Sequence, residues 1–335
     1  AGGWEAPYDG LRSPIFGGGA RLASGVARRV VDRLGAASFC TYAGRGVIAP
    51  GAPLHFGPNL ARPDSVAELR KADIVVAVGT ELSETDLWRD TLGYDGPLIR
   101  VDVDPAEFDD TPAALNVLCD AGAFLRRLLA MSESHSASAG WRAPDIAAAR
   151  ARWRAKCDAE RPGIVPVCDA LRGCLPEDAM IFSDMTQFAY TAKEVWDMPA
   201  PGQWHHPCGF GTLGYALPAA IGGKTGAGNR PVIAIAGDYG FQYTCQELGT
   251  AAELGQSLPI LLWDNGMLKE IEASMQSAQI APVAVRAKNP DFGKLAAAYG
   301  IGYACPDELA ELKDAVADAL SAMGPTLIRM TPALS

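Results

Sequence analysis

No apolar run in the chain approaches the ~18 residues of a membrane span. The longest candidate, Ile74–Gly79, is only strand length. Basic residues are in deficit, 29 Lys and Arg against 39 Asp and Glu, for a net charge of -10. That balance argues against a nucleic acid or an anionic membrane as the main partner. The eight cysteines form no CxxC pair and are scattered, and no secretory leader is visible. A reduced, cytoplasmic protein is therefore expected. The glycine run Phe16–Ala20 (FGGGA) is not the GxGxxG of a dinucleotide site, and no acidic residue follows it at the usual offset. A nicotinamide-dependent dehydrogenase is accordingly disfavoured. What is present is ordinary globular material. The 335 residues are 49% hydrophobic and 20% charged, enough for two domains with real cores.

Both halves alternate strand and helix patterns, which predicts an α/β protein with two parallel-sheet domains. In the first half, Ser13–Gly19, Ser38–Thr41, Asp73–Gly79 and Pro97–Asp104 read as strands. Ala20–Leu34 and Ala121–Met131 read as helices. Asp73–Gly79 (DIVVAVG) is continuous and β-branched, as suits a strand buried on both faces. The polar, small-residue stretch Ser132–Gly140 marks the join. Domains are expected at 1–135 and 151–335, with a linker over 136–150. In the second half, Ala179–Ser183, Pro231–Ala236, Leu258–Trp263 and Pro325–Met330 are predicted strands. Helices are predicted over Ile164–Leu175, Gly214–Lys224, Cys245–Leu254, Asp291–Tyr299 and Glu308–Met323. Three strands run into polar stops, Asp184, Asp238 and Asn265, where open parallel sheets place their ligands.

The segment Gly237-Asp238-Tyr239-Gly240-Phe241 and the later Asp264-Asn265-Gly266 carry the strongest chemical signal. From Asp238 to Asn265 is 265 − 238 = 27 residues. A helix and a return strand fit that interval and bring Asn265 beside Asp238. A carboxylate and an amide oxygen, with a backbone carbonyl nearby, make a hard oxygen site suited to Mg²⁺. Gly237 and Gly240 let backbone N–H groups approach an anion, and a helix start follows. A diphosphate bridged by Mg²⁺ is the natural occupant.

These residues resemble the fingerprint of the thiamine diphosphate enzymes, GDG followed about thirty residues later by NN. Tyr239 stands at the third position of the fingerprint in place of glycine, and Asp264 replaces the first asparagine. Gly209–Gly222 (GFGTLGYALPAAIG) is similar to the GLGTMGFGLPAAIGA segment of the acetolactate synthase and benzoylformate decarboxylase branch. Ser183-Asp184-Met185-Thr186-Gln187 resembles that branch's SDVGQHQ, with Phe188 in place of the histidine. Gln246–Ala251 resembles its QELATA helix, a packing element. In the first half, Phe16–Ala20, Gly44-Arg45-Gly46, Ala77–Thr80 and Val101–Pro105 resemble the family's central domain.

The resemblance implies thiamine diphosphate and Mg²⁺ as cofactors. It places the metal on Asp238, Asn265 and the Met267 carbonyl. Cofactor contacts fall on Gln187, on Gly211, Thr212 and Leu213, on Gly237, Asp238, Tyr239, Gly240 and Phe241, and on Asn265, Met267 and Leu268. Leu213 takes the place of the residue that bends the cofactor, and the Gly211 carbonyl that of the aminopyrimidine acceptor. The central domain is expected to be structural; FAD is possible in relatives but not favoured here. The family's pyrimidine-binding domain, with its activating glutamate, has no counterpart in the chain. A separate or cleaved polypeptide is expected to supply it within a homo- or hetero-oligomer.

Four residues are candidates for work on the substrate. His205 and His206 precede the Gly209 segment and can move protons near neutral pH. Glu270 and Glu272 follow Asn265, where they would deliver a proton or hold a cationic tail. The stretch Leu268–Met275 and the segments Gln279–Pro282 and Asn289–Phe292 resemble decarboxylases of 5-guanidino-2-oxopentanoate. The expectation is a 2-oxo acid decarboxylase. An acetolactate synthase-like carboligase is the first alternative and a non-catalytic scaffold subunit the second.

Overall fold

A computed structural model describes residues 10, 12–132, 140–286 and 288–334. They form two compact units. The first takes residues up to Lys156 with Asp197–Gly202, and the second takes Cys157–Trp196 and the residues from Gln203 onward.

The first unit is built as β1 (Arg12–Phe16), α1 (Ser24–Leu34), β2 (Ser38–Cys40), β3 (His55–Gly57), α2 (Ser65–Leu69), β4 (Ile74–Val78), α3 (Glu84–Leu87), β5 (Leu98–Asp102), β6 (Leu115–Leu118), α4 (Ala121–Met131) and α5 (Ala143–Glu160). Its six strands are parallel in the order β3-β2-β1-β4-β5-β6. The β-branched run of β4 is central, with Val75 and Val78 at most 1% exposed. Each face of the sheet has its own core. One packs Phe39, Phe56 and Leu69 against Ile146, Ala149 and Trp153 of α5. The other packs Phe16, Val78 and Val101 against α1 and α4. The glycines after β1 serve this packing: a Cβ on Gly17 would lie 2.2 Å from the Gly79 carbonyl oxygen.

Two expectations change here. The helix expected from Ala20 begins at Ser24, after a 3-10 turn over Gly18–Ala23. Its glycines disfavour the α-helical start. The linker expected over 136–150 is helical from Ala143, while 136–139 lie outside the described residues. The alanine- and arginine-rich sequence favours helix, and burial of Ile146 and Trp153 anchors it.

The second unit follows as α6 (Ile164–Cys174), β7 (Met180–Ser183), α7 (Gln187–Val195), β8 (Trp204–His205), α8 (Ala216–Gly226), β9 (Val232–Gly237), α9 (Asp238–Thr244), α10 (Glu247–Leu254), β10 (Leu258–Trp263), α11 (Lys269–Ser277), α12 (Phe292–Ala298), β11 (Gly302–Ala304), α13 (Leu309–Ser321) and β12 (Pro325–Met330). The strand order is β11-β12-β10-β9-β7-β8, again parallel throughout. β9 and β10 lie at its centre and are buried along almost their whole length. They present their carboxyl ends side by side. The helix expected over Cys245–Leu254 is α10, from Glu247, and a separate short helix not expected from the sequence, α9 from Asp238, precedes it.

Candidate active site

Register brings the site together. Trp263 of β10 pairs with Gly237 of β9, so Asp238 and Asn265 leave the sheet at the same edge. Asp238 is buried at the first position of α9. Its carboxylate accepts from Tyr239 N at 3.0 Å, Gly266 N at 2.8 Å and Asn289 Nδ2 at 2.7 Å. Burial pushes the Asp238 carboxyl above its ordinary value, and the Asn289 and Tyr239 hydrogen bonds pull it back. Asn265 donates through Nδ2 to Gln187 Oε1 at 3.1 Å, and its Oδ1 accepts from Met267 N at 3.2 Å. That hydrogen-bond pattern orients the amide with its oxygen on the Met267 side.

Gln187 opens α7, just beyond the end of β7. Asp184, between them, is fully buried and accepts from Gly214 N at 3.1 Å and Ala216 N at 2.8 Å. It thereby holds the turn that enters α8. Burial raises its carboxyl above the usual range, against these backbone hydrogen bonds. Gly240 must be glycine for the same reason: a Cβ there would lie 2.3 Å from Asp184 Oδ2.

These segments enclose a cavity of about 150 Å³. Gln187, Gly211, Leu213, Gly237, Asp238, Tyr239, Gly240, Asn265, Met267 and Leu268, all read from the sequence as cofactor residues, line it. So does Glu270. Arg161 grips Glu270 in a two-pronged contact, Nε to Oε1 at 3.1 Å and Nη2 to Oε2 at 2.8 Å. Its guanidinium lies over the Tyr190 ring, 5.8 Å from the centroid. The buried Lys193 stands over the same ring and meets Met185 Sδ at 3.3 Å.

Five expected site residues lie elsewhere. Phe241 is a core residue, edge-on to Phe292 at 5.9 Å, because α9 turns it away from the strand ends. Thr212 is exposed and outside the cavity lining. His205 belongs to the edge strand β8, stacked on Phe182 at 4.7 Å, and His206 follows it; neither lines the cavity. Glu272 is buried outside it, paired with Lys269 at 2.8 Å and Arg286 at 3.0 Å. Those hydrogen bonds, Lys269 first, hold its carboxyl below the ordinary value. Two residues from Glu270 on one helix, it cannot share that residue's face. Conversely, Arg161 and Tyr190 carried no motif signal; only the fold brings them to Glu270.

The donor set fits a hard cation. Among the described residues no group of three or more His, Cys, Asp or Glu converges as a metal site. A cation here would rely on the Asp238 carboxylate, the Asn265 amide oxygen and the backbone, leaving positions for phosphate oxygens. Of the first N–H groups of α9, that of Tyr239 is taken by the Asp238 carboxylate; the others of the first turn lack a carbonyl one turn back and suit an anion.

Comparison with known proteins identifies the family. A family model described as thiamine pyrophosphate enzyme, C-terminal TPP binding domain, matches residues 184–330. A second, the central domain of thiamine pyrophosphate enzymes, matches residues 15–128. A probable 2-ketoarginine decarboxylase, AruI, of Pseudomonas aeruginosa is 41% identical over 318 residues, covering 94% of this chain and 57% of that protein. The acetolactate synthase large subunit of Corynebacterium glutamicum is 33% identical over 229 residues, 64% of this chain and 36% of that one. The corresponding subunit of Cyanidium caldarium is 27% identical over 343 residues, 95% and 57% of the two chains. The chain thus spans little more than half the length of the relatives it matches most fully.

Proposed function

This chain belongs to the thiamine pyrophosphate enzymes, and from that premise we propose that it forms the diphosphate- and metal-binding part of a 2-oxo acid decarboxylase. The observation that carries the proposal is the placement of Asp238 and Asn265 just beyond the ends of adjacent strands β9 and β10, where Gly237 pairs with Trp263. These two side chains, with the Met267 carbonyl, would hold Mg²⁺. Gln187 has its oxygen engaged by Asn265 and so has its NH₂ to offer a diphosphate oxygen. The Gly237–Gly240 backbone would border the same group, and Leu213 would pack against the cofactor. Thiamine diphosphate, when bound, supplies the electron sink that decarboxylation of a 2-oxo acid requires.

Glu270 is the acidic side chain placed to meet a substrate, and Arg161 fixes its orientation. The name of the Pseudomonas relative supports a substrate with a guanidino tail. Such a tail would share the Glu270 carboxylate with Arg161. The activating glutamate would come from a pyrimidine domain, either another polypeptide or another stretch of a longer protein. The match to the central and C-terminal family domains supports this arrangement, and with it an oligomer. The eight free cysteines support a reducing, cytoplasmic setting, and no helix among the described residues is long and apolar enough to cross a membrane.

Incubation of the assembled enzyme with thiamine diphosphate, Mg²⁺ and single 2-oxo acids tests the proposal. Carbon dioxide and an aldehyde are the expected products. Acetohydroxy acids instead would establish the carboligase reading that the acetolactate synthase relatives favour. Failure of the assembled protein to bind thiamine diphosphate with Mg²⁺ would leave a scaffold subunit.

A further inference from the structure

Asp264 puts a carboxylate where the family pattern has an asparagine, one residue from Asn265. It is 8% exposed, and its surroundings are well defined. Arg329 Nε donates to Oδ2 at 2.7 Å. Asn289 Nδ2 donates to Oδ1 at 2.7 Å, and the same nitrogen donates to Asp238 Oδ2 at 2.7 Å. Both hydrogens of one amide are therefore spent on two carboxylates. Asn289 Oδ1 in turn accepts from Gln242 Nε2 at 3.1 Å. The reversed amide would aim its oxygen at both carboxylates, so the chemistry dictates the orientation. The segment is anchored at the start of α12, where Asp291 accepts from Lys294 N at 3.0 Å and Phe292 packs on Phe241.

We propose that Asn289 is a positioning residue of the metal half-site, clamping Asp238 to Asp264 while Arg329 balances the second negative charge. This rests on the reading of Asp238 as a metal ligand. Without the amide, two carboxylates at adjacent strand ends share no donor, and Asp238 Oδ2 keeps only the Gly266 N–H. The clamp also explains how the chain accommodates Asp264: the extra charge is absorbed by one bridging amide and one guanidinium, outside the proposed ligand set.

Calorimetric titration of the assembled protein with thiamine diphosphate and Mg²⁺ tests the clamp, alongside the unfolding midpoint in metal-free buffer. Asn289→Ala should weaken cofactor binding by about 10–100-fold, the range for residues that orient metal ligands. Asn289→Ser, with one donor for two acceptors, should fall between it and the wild type, and carries the test if the alanine variant does not fold. Adding Asp264→Asn to Asn289→Ala removes the unshared charge and should recover most of the lost affinity. The same addition leaves Arg329 a neutral amide in place of its carboxylate partner and should lower the metal-free midpoint. Tighter binding by the less stable protein is a pattern that general loss of structure does not produce. Wild-type affinity in both Asn289 variants, or weaker binding by the double variant than by Asn289→Ala, overturns the clamp. Asp238→Ala binding as well as the wild type, or no binding by the wild type, instead overturns the underlying metal reading.

Discussion

At the scale of the residue, Asp238 gathers three N–H donors around a buried carboxylate, and that arrangement suits an anion that meets a cation. Asp238→Ala is expected to abolish cofactor-dependent activity while the metal-free protein stays folded, as read by titration and by circular dichroism. Glu270 offers a second residue-scale prediction. Glu270→Gln should raise KM for a guanidino 2-oxo acid by about tenfold, the loss of one charge-assisted contact, and leave KM for a neutral 2-oxo acid unchanged. Equal effects on both would place Glu270 in a purely structural role with Arg161. His55 gives a pH prediction. Burial pushes its imidazole from 6.5 down to about 4, while Nδ1 lies 2.9 Å from Ser38 Oγ. The folded state therefore resists protonation more than the unfolded chain does. The stability conferred by neutral His55 is complete above pH 6.5, falls from there to about 4, and levels off below. The integrated effect is on the order of 3 kcal/mol. His55→Gln should flatten that slope in denaturant midpoints measured across the window.

At the scale of the element, the site depends on turns held from behind. Asp184 ties the end of β7 to the entry of α8 through two backbone N–H groups. Gly240 gives α9 the clearance to pass it. Gly240→Ala should cost about 1–3 kcal/mol, the usual penalty of overpacking a closed site, and should weaken cofactor binding as well, because α9 carries Asp238. A thermal midpoint equal to the wild type would show that α9 shifts freely. Helix α11 sorts its acids by periodicity. Glu270 faces the cavity, while Glu272, two residues on, is buried against Lys269 and Arg286. The sequence marks both as acids near Asn265, but only the helix phase separates them.

At the scale of the whole molecule, two sheets with separate cores predict two unfolding transitions, one of which responds to cofactor. Thiamine diphosphate with Mg²⁺ at 100 times its Kd should stabilise the second unit by about 2.7 kcal/mol and leave the first transition in place, as scanning calorimetry would show. A shift of both would mean that the units unfold together. The parallel α/β architecture was legible in the chain because β-branched runs such as Ile74–Val78 and Val232–Ala236 suit burial on both faces. That Asp238 and Asn265 follow neighbouring strand ends was legible because a single crossover connection fits the interval between them. Local pattern misplaced the segment after residue 140, whose helix is anchored by Ile146 and Trp153 packing on a distant sheet face. It likewise misplaced His205, whose ring stacks on Phe182 at the sheet edge. Short-range residue chemistry therefore determined the fold class and the proposed metal ligands. The tertiary structure alone decided that Arg161 meets Glu270 and that Asn289 bridges Asp238 and Asp264, because contacts across 109, 51 and 25 residues arise from packing and leave no local pattern in the chain.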